Sequence, residues 1–298
     1  MLKQLGNNAI MNSKNTKTLE TSVKKDEAIE MSKEKQHNFL KTIIIILSFG
    51  MAFGVNVLSL LIIKDESSFI QTMLGNLVEI VALVGIFVLW VKVLPRVFPG
   101  ANDFRFRKLT AYQGMMYLGI ALLSLVSVYR LLYWIRGGAA CVTLVPVIYS
   151  RTEFQEEILA SIHAILIAPV LEEMCFRIIP ASVIKTGKNR IVILAILTVV
   201  FALMHPSNIL GALVDATIFC ILLLVTKNPL ASILCHMFGN LLKTIAFVLA
   251  YFNVIEIRMA EGRGTIILFD MPVTLITIAI AVVLILPAVL KGFQKNKS

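Results

Sequence analysis

The chain has 298 residues, 58% of them hydrophobic, a mean hydropathy of +0.85 and a formal net charge of +10. Soluble domains are nearer about 45–50% apolar, so water is excluded as the solvent for most of this sequence, and a soluble α/β enzyme with it. The basic excess gathers at one set of hydrophobic-segment ends rather than on a stripe interleaved with aromatics, which excludes nucleic acid as partner and points to membrane topology.

Residues 1–38 are polar and mixed in charge, with Lys14, Lys17, Lys24, Lys25, Lys33 and Lys35 against Glu20, Asp26, Glu27, Glu30 and Glu34. They cannot bury enough apolar surface to fold alone and are expected to form a flexible cytoplasmic tail. No small-residue cleavage pattern is clear after it, so the first apolar run is read as a retained anchor.

Residues 39–298 read as a transmembrane domain. A helical span needs about 20 apolar residues, and eight stretches supply them: Phe39 to Ile63, Phe69 to Leu94, Tyr112 to Ile135, Ile158 to Lys185, Arg190 to His205, Ile209 to Thr226, Leu230 to Phe252 and Pro272 to Leu290. The expected fold is therefore all-α, a polytopic bundle of about eight spans. Arg96, Arg105, Arg107, Lys108, Lys185, Lys188, Arg190, Lys227 and the terminal Lys291, Lys295 and Lys297 fall on the side of the basic tail. By the positive-inside rule that side, with both termini, is cytoplasmic. Gly137 to Ser150 is apolar but too short to cross, and reads as an external re-entrant piece or as a sign that the count is off by one. Gly50 and Gly54 form a small-xxx-small pair suited to close helix packing. Cys141, Cys175, Cys220 and Cys235 match neither a zinc knuckle nor a disulfide framework.

Ionisable groups inside a bilayer are costly, so each is a functional candidate. The fourth span holds Glu172-Glu173-Met174-Cys175-Phe176-Arg177. Glu173 and Arg177 share a helix face, acid before base, while Glu172 points about 100° away without a partner on its own helix. Two acids and a base alone would equally suit a buried ion-pair network. The fifth span, however, ends Phe201-x-x-x-His205, and the seventh carries His236-x-x-x-Asn240, whose two side chains project from one face. At about 1.5 Å per residue from the cytoplasmic ends, Glu172 lies ~20 Å deep, His205 ~22 Å, Asn240 ~15 Å and His236 ~9 Å, so the four could line one cavity reached from the cytosol. Pro206 ends the short fifth span at the histidine, and Pro169 leaves a carbonyl unpaired one turn before Glu172. Asp215 and Glu79 read as helix-bridging polar contacts more readily than as catalytic groups. Cys175 has no histidine at helical spacing, and His163 lies on the opposite face from Glu172.

Glu172-Glu173-x-x-x-Arg177, Phe201-x-x-x-His205 and His236-x-x-x-Asn240, in this order on successive hydrophobic helices, resemble the CPBP (Abi) family of membrane endopeptidases. That family includes type II CAAX prenyl proteases and bacteriocin-processing or self-immunity proteins. The resemblance covers residues 158–252, the expected catalytic core. It implies an intramembrane endopeptidase acting near the cytoplasmic side. Glu172 would be general base with His205 orienting the same water, His236 and Asn240 would donate to the oxyanion, and Glu173 with Arg177 would hold the geometry. Glu172, His205 and His236 would also make a catalytic zinc shell; the i, i+4 imidazole and amide favour oxyanion donors over ligands. Metal-free hydrolysis is therefore the expectation, with zinc as the alternative cofactor. The implied partners are the lipid bilayer and a peptide or protein substrate, which could be CAAX-like, a bacteriocin or a signal peptide, and the expected location is the cell membrane. The competing readings are a non-proteolytic immunity or sensor scaffold and a transporter; no inverted repeat supports transport.

Overall fold

The computed structural model describes residues 29–48, 50, 68–97, 104–135, 144–146, 150–184, 187–253, 257–260, 265–267 and 271–295. The chain divides into two compact units, Met1–Leu47 and Ser48–Ser298. In the first, every described residue, 29–47, is helical, and with residue 48 they make up helix α1. Residues 29–38, expected in the polar tail, are therefore helical. Glu30, Met31, Lys33, Glu34, Lys35 and Gln36 are good helix formers, and a helix already nucleated by the apolar run behind them adds each at little cost. Residues 1–28 of the expected tail lie outside the described residues.

In the second unit, α2 runs from Ser68–Val88 through a wide π turn, Leu89–Val93, into Leu94–Val97. Helix α3 is Ala111–Ile135. Helix α4 is broken: Arg151–Leu166, a kink at Ile167, then Ala168–Glu173, a π turn over Met174–Ile178, and Ile179–Val183. Helices α5 (Gly187–Leu203), α6 (Ile209–Thr226), α7 (Pro229–Tyr251) and α8 (Met271–Lys295) complete the bundle. Among the described residues these rods coincide with the eight expected stretches. Glu157–Val183, Ile209–Thr226 and Pro229–Tyr251 are long and apolar enough to cross a membrane, and Ala111–Ser127 and Thr274–Pro287 are shorter apolar segments. Large apolar side chains such as Ile191, Val225 and Val283 face outward. That is the arrangement expected where the surrounding solvent is hydrocarbon.

The all-α bundle carries one small addition. Leu144–Pro146 (β1), Ile257–Ala260 (β2) and Thr265–Ile267 (β3) form a small antiparallel sheet in that order, with Val145 opposite Met259 and Arg258 opposite Ile266. Val145, Ile257, Thr265, Ile266 and Ile267 are β-branched, which suits strands. The segment Gly137 to Ser150 thus contributes a strand. Its sheet joins the α3–α4 connection to the α7–α8 connection, so these two connections lie at the same end of the bundle.

The opposite ends of the helices meet at the basic residues. The Arg105 amide donates to the Lys227 carbonyl (3.2 Å). The buried Asn228 side chain accepts from the Arg107 and Leu230 amides (3.2 Å each) and donates to the Arg107 carbonyl (3.0 Å). It thereby caps α7 and ties the approach to α3 onto the α6–α7 turn. The Arg190 guanidinium lies 5.1 Å from the Phe104 ring centre.

In lipid there is no hydrophobic drive between helices, so contact relies on close packing of small residues. A β-carbon placed on Gly119 would stand 2.8 Å from the Ala281 carbonyl oxygen of α8, and a backbone atom cannot swing aside. Gly119→Ala is predicted to destabilise the bundle by about 1–3 kcal/mol, seen as a lower unfolding midpoint of the purified protein. Gly114→Ala, into open space, should be neutral or slightly stabilising. Gly50 also faces open space among the described residues, so close packing is not found there, and Gly54 lies outside them.

Candidate active site

Three helices deliver the expected groups, each through a local departure from regular helix. In α4, Pro169 has no N–H to give, and the helix opens at Ile167. The Asn240 amide donates to the Ala164 carbonyl at 2.7 Å across this break, so α7 is stitched to α4 where α4 is weakest. Five residues later the helix widens, with the Ile179 amide bonding the Met174 carbonyl. Pro180 follows and cannot serve Phe176, which a wide turn accommodates.

Glu173 and Arg177 form the expected i, i+4 pair, 0% and 1% exposed. The Arg177 guanidinium lies between two aromatic faces, 4.7 Å from the centre of Phe201 and 5.5 Å from Phe219. Sequence spacing did not show that Glu173 Oε1 also accepts from His236 Nδ1 at 3.1 Å. His236 stacks on Phe219 (4.5 Å, 20°), and its Nε2 stands 3.6 Å from Glu172 Oε2.

Helix α5 ends at Leu203, two residues before the expected terminus, because a residue preceding proline is driven out of the helical region. His205 sits at φ −113°, ψ 65° ahead of the 3-10 turn Pro206–Asn208. Its Nδ1 bonds the Phe201 carbonyl at 2.8 Å. A carbonyl can only accept, so Nδ1 carries a proton and Nε2 is the nitrogen left for other partners.

Glu172, His205, His236 and Asn240 line one cavity of about 360 Å³. Its walls are helical stripes: Glu157, Ser161, Ala164, Ala168 and Glu172 on α4; Ala212, Asp215 and Phe219 on α6; and His236, Asn240, Lys243, Thr244 and Phe247 on α7. Glu173 and Arg177 lie behind His236, outside this lining. Lys243 was missed in the sequence, although it lies three residues after Asn240 and seven after His236 on the same face. Asp215 accepts from Ser124 Oγ of α3 and pairs with Lys243 Nζ at 3.3 Å, so it bridges helices as expected while also touching the cavity. Cys175 and His163 do not line it, and the Glu79 side chain lies outside the described residues. Cys175, Cys220 and Cys235 are free thiols.

One expectation about depth is corrected. His236 does not lie ~11 Å shallower than Glu172; the two side chains touch at one level. Counting residues from helix ends at about 1.5 Å each assumes straight, upright helices ending in one plane, and the broken α4 violates that. Every residue from Glu173 to Val183 is buried, as are Ala231, Ser232, Ile233 and Cys235 of α7. The cavity lining runs from Glu172 toward the exposed Glu157 on α4, and from His236 toward Thr244 and Phe247 on α7. That is the end at which Phe154 stacks on Tyr251 at 3.9 Å.

A catalytic zinc shell takes three protein ligands converging on one point. Both imidazoles hold Nδ1 on an acceptor and leave Nε2 for the cavity, the orientation of metal-bound histidines. Among the described residues, however, no three His, Cys, Asp or Glu groups converge closely enough to hold a metal ion.

No curated protein and no solved structure matches the chain. Residues 154–242, which hold all three motifs and the lower part of the cavity, match the model of the family described as type II CAAX prenyl endopeptidase, Rce1-like, in agreement with the family that the motifs resemble and in support of a CAAX-type membrane protease.

Proposed function

We propose that the protein is an intramembrane endopeptidase in which Glu172 activates water without a metal ion. The observation that carries this reading is the meeting of Glu172, His205, His236 and Asn240 in one cavity with the ring orientations already fixed. Water between Glu172 and His205 Nε2 loses a proton to the carboxylate as its oxygen attacks the scissile carbonyl carbon. The tetrahedral oxyanion needs donors aimed at it. Asn240 gives one amide hydrogen to Ala164 and keeps the second for the oxyanion. His236 holds a hydrogen bond to Glu173 through Nδ1 and presents Nε2 as the second group toward the oxyanion. Glu172 then passes the proton it took to the leaving nitrogen as the C–N bond breaks. Glu173 and Arg177 touch no substrate; they hold the His236 ring, and the aromatic faces of Phe201 and Phe219 hold Arg177.

The test is a comparison of peptide termini in membranes from cells expressing the wild-type chain or Glu172→Ala. New termini are expected with the wild type alone, and they should persist when the membranes are incubated with a chelator. Identical termini in both would leave the scaffold reading standing. Loss in chelator with recovery in stoichiometric zinc would overturn the metal-free step.

A further inference from the structure

We infer that Lys243 selects the substrate by pairing with an acidic side chain that lies a few residues from the scissile bond. Lys243 lines the cavity together with the reacting groups, three residues after Asn240 and seven after His236 on one face of α7. Its ammonium is held across helices: Nζ meets Asp215 Oδ2 of α6 at 3.3 Å, and Asp215 Oδ1 accepts from Ser124 Oγ of α3. Within this pair the ammonium is the outer member, 35% exposed against 16% for the carboxylate. A ligand in the cavity therefore meets the positive charge first, with its counter-charge tied back to α3. An ammonium carries three N–H donors, so a bond to Asp215 is compatible with one to a ligand. Lys243 also stands one position past the residues that match the family, 154–242, so that match assigns it no role.

Spacing sets the register. Along α7, at about 1.5 Å per residue, Lys243 lies ~4.5 Å beyond Asn240 and ~10.5 Å beyond His236. An extended peptide advances about 3.3–3.6 Å per residue, so with the scissile carbonyl held at His236 and Asn240 the side chain that reaches Lys243 belongs to a residue about two or three positions away. A side chain suits this place better than a terminal carboxylate. The lining continues past Lys243 to Thr244 and Phe247, and to Glu157 on α4, which gives the peptide a path to run on. The acids of the α4 wall sharpen the choice. Glu157 and Glu172 repel a carboxylate placed elsewhere along that wall, and such like-charge encounters are how a site rejects a wrong register.

The inference rests on the hydrolytic reading above, and its test fails separately from that reading. The probes are quenched-fluorescent peptides of about ten residues that carry Glu, Gln or Lys at one position at a time, each made with a free and with an amidated C-terminus. The full chain is assayed in phosphatidylcholine nanodiscs, whose neutral lipid does not concentrate charged peptides. In the wild type, Glu about two or three residues from the cleaved bond should raise kcat/KM by about ten- to a hundred-fold over its Gln twin, the usual worth of a hydrogen bond to a charged group, whether or not the terminus is amidated. Lys243→Gln should abolish this preference, Lys243→Glu should reverse it so that the Lys peptide leads, and Lys243→Arg should keep it. A lysine that only braces the helices would leave the ratios within each variant unchanged. Equal Glu and Gln rates in the wild type, an unchanged order in Lys243→Glu, or a preference that amidation removes each overturns the inference. Binding of singly labelled versions of the same peptides to Glu172→Gln, read by fluorescence anisotropy, covers the case in which nothing is cleaved. A Glu-over-Gln preference that reverses when Lys243→Glu is added would then sustain the pairing and remove the peptidase reading alone, whereas equal binding would overturn the pairing.

Discussion

Glu172→Gln is expected to lower the cleavage rate by about 10²–10⁴-fold, the usual contribution of a positioned general base, and to leave the folded protein intact. The geometry separates the two effects. Glu172 is one-quarter exposed and its contact with His236, at 3.6 Å, is longer than a hydrogen bond. The isosteric amide therefore leaves no buried charge unpaired. His205→Ala should cost a similar factor, because His205 is fixed by the Phe201 carbonyl and its free nitrogen acts on the same water. Groups that act on one water are not additive, so Glu172→Gln combined with His205→Ala should be no slower than the worse single variant. Quantitative mass spectrometry of a peptide shown to be cleaved in membranes gives the rates. A Glu172→Gln rate within a few-fold of wild type would sink the assignment.

Much of this site was legible in the sequence because helical periodicity carries it. The i, i+4 spacings of Glu173 with Arg177 and of His236 with Asn240 fix shared faces regardless of how the helices pack. The stripe Glu157, Ser161, Ala164, Ala168, Glu172 has the same spacing, three or four residues at each step, and with it the position of the cavity wall was readable. What periodicity cannot give is contact between helices. The Glu173 to His236 bond joins α4 to α7 across 63 positions of sequence. The bond from Asn240 to Ala164 exists because α4 breaks. The small sheet eluded the reading for a different reason: Leu144–Pro146 is three residues long and acquires its partner from a loop more than a hundred residues away.

The second large effect belongs to Arg177, through stability first and chemistry second. Glu173 is fully buried, and its Oε2 has no hydrogen-bond partner among the described residues; the same holds for Nε and Nη2 of Arg177. Arg177→Met removes the charge that balances Glu173 and leaves the carboxylate to His236 alone. Breaking one side of such a pair costs about 3–5 kcal/mol, so the variant should show a clearly lower unfolding midpoint in detergent and no cleavage. Replacing both partners, Glu173→Gln with Arg177→Met, removes the buried ion pair as a whole and should recover most of the lost midpoint, since buried ion pairs add little net stability over neutral packing. Cleavage should stay absent in that double variant, because His236 has lost the carboxylate that receives its Nδ1 proton and holds the ring. Recovery of cleavage together with stability would show that Glu173 and Arg177 serve the fold alone; an Arg177→Met midpoint equal to wild type would show that the pair bears no structural load.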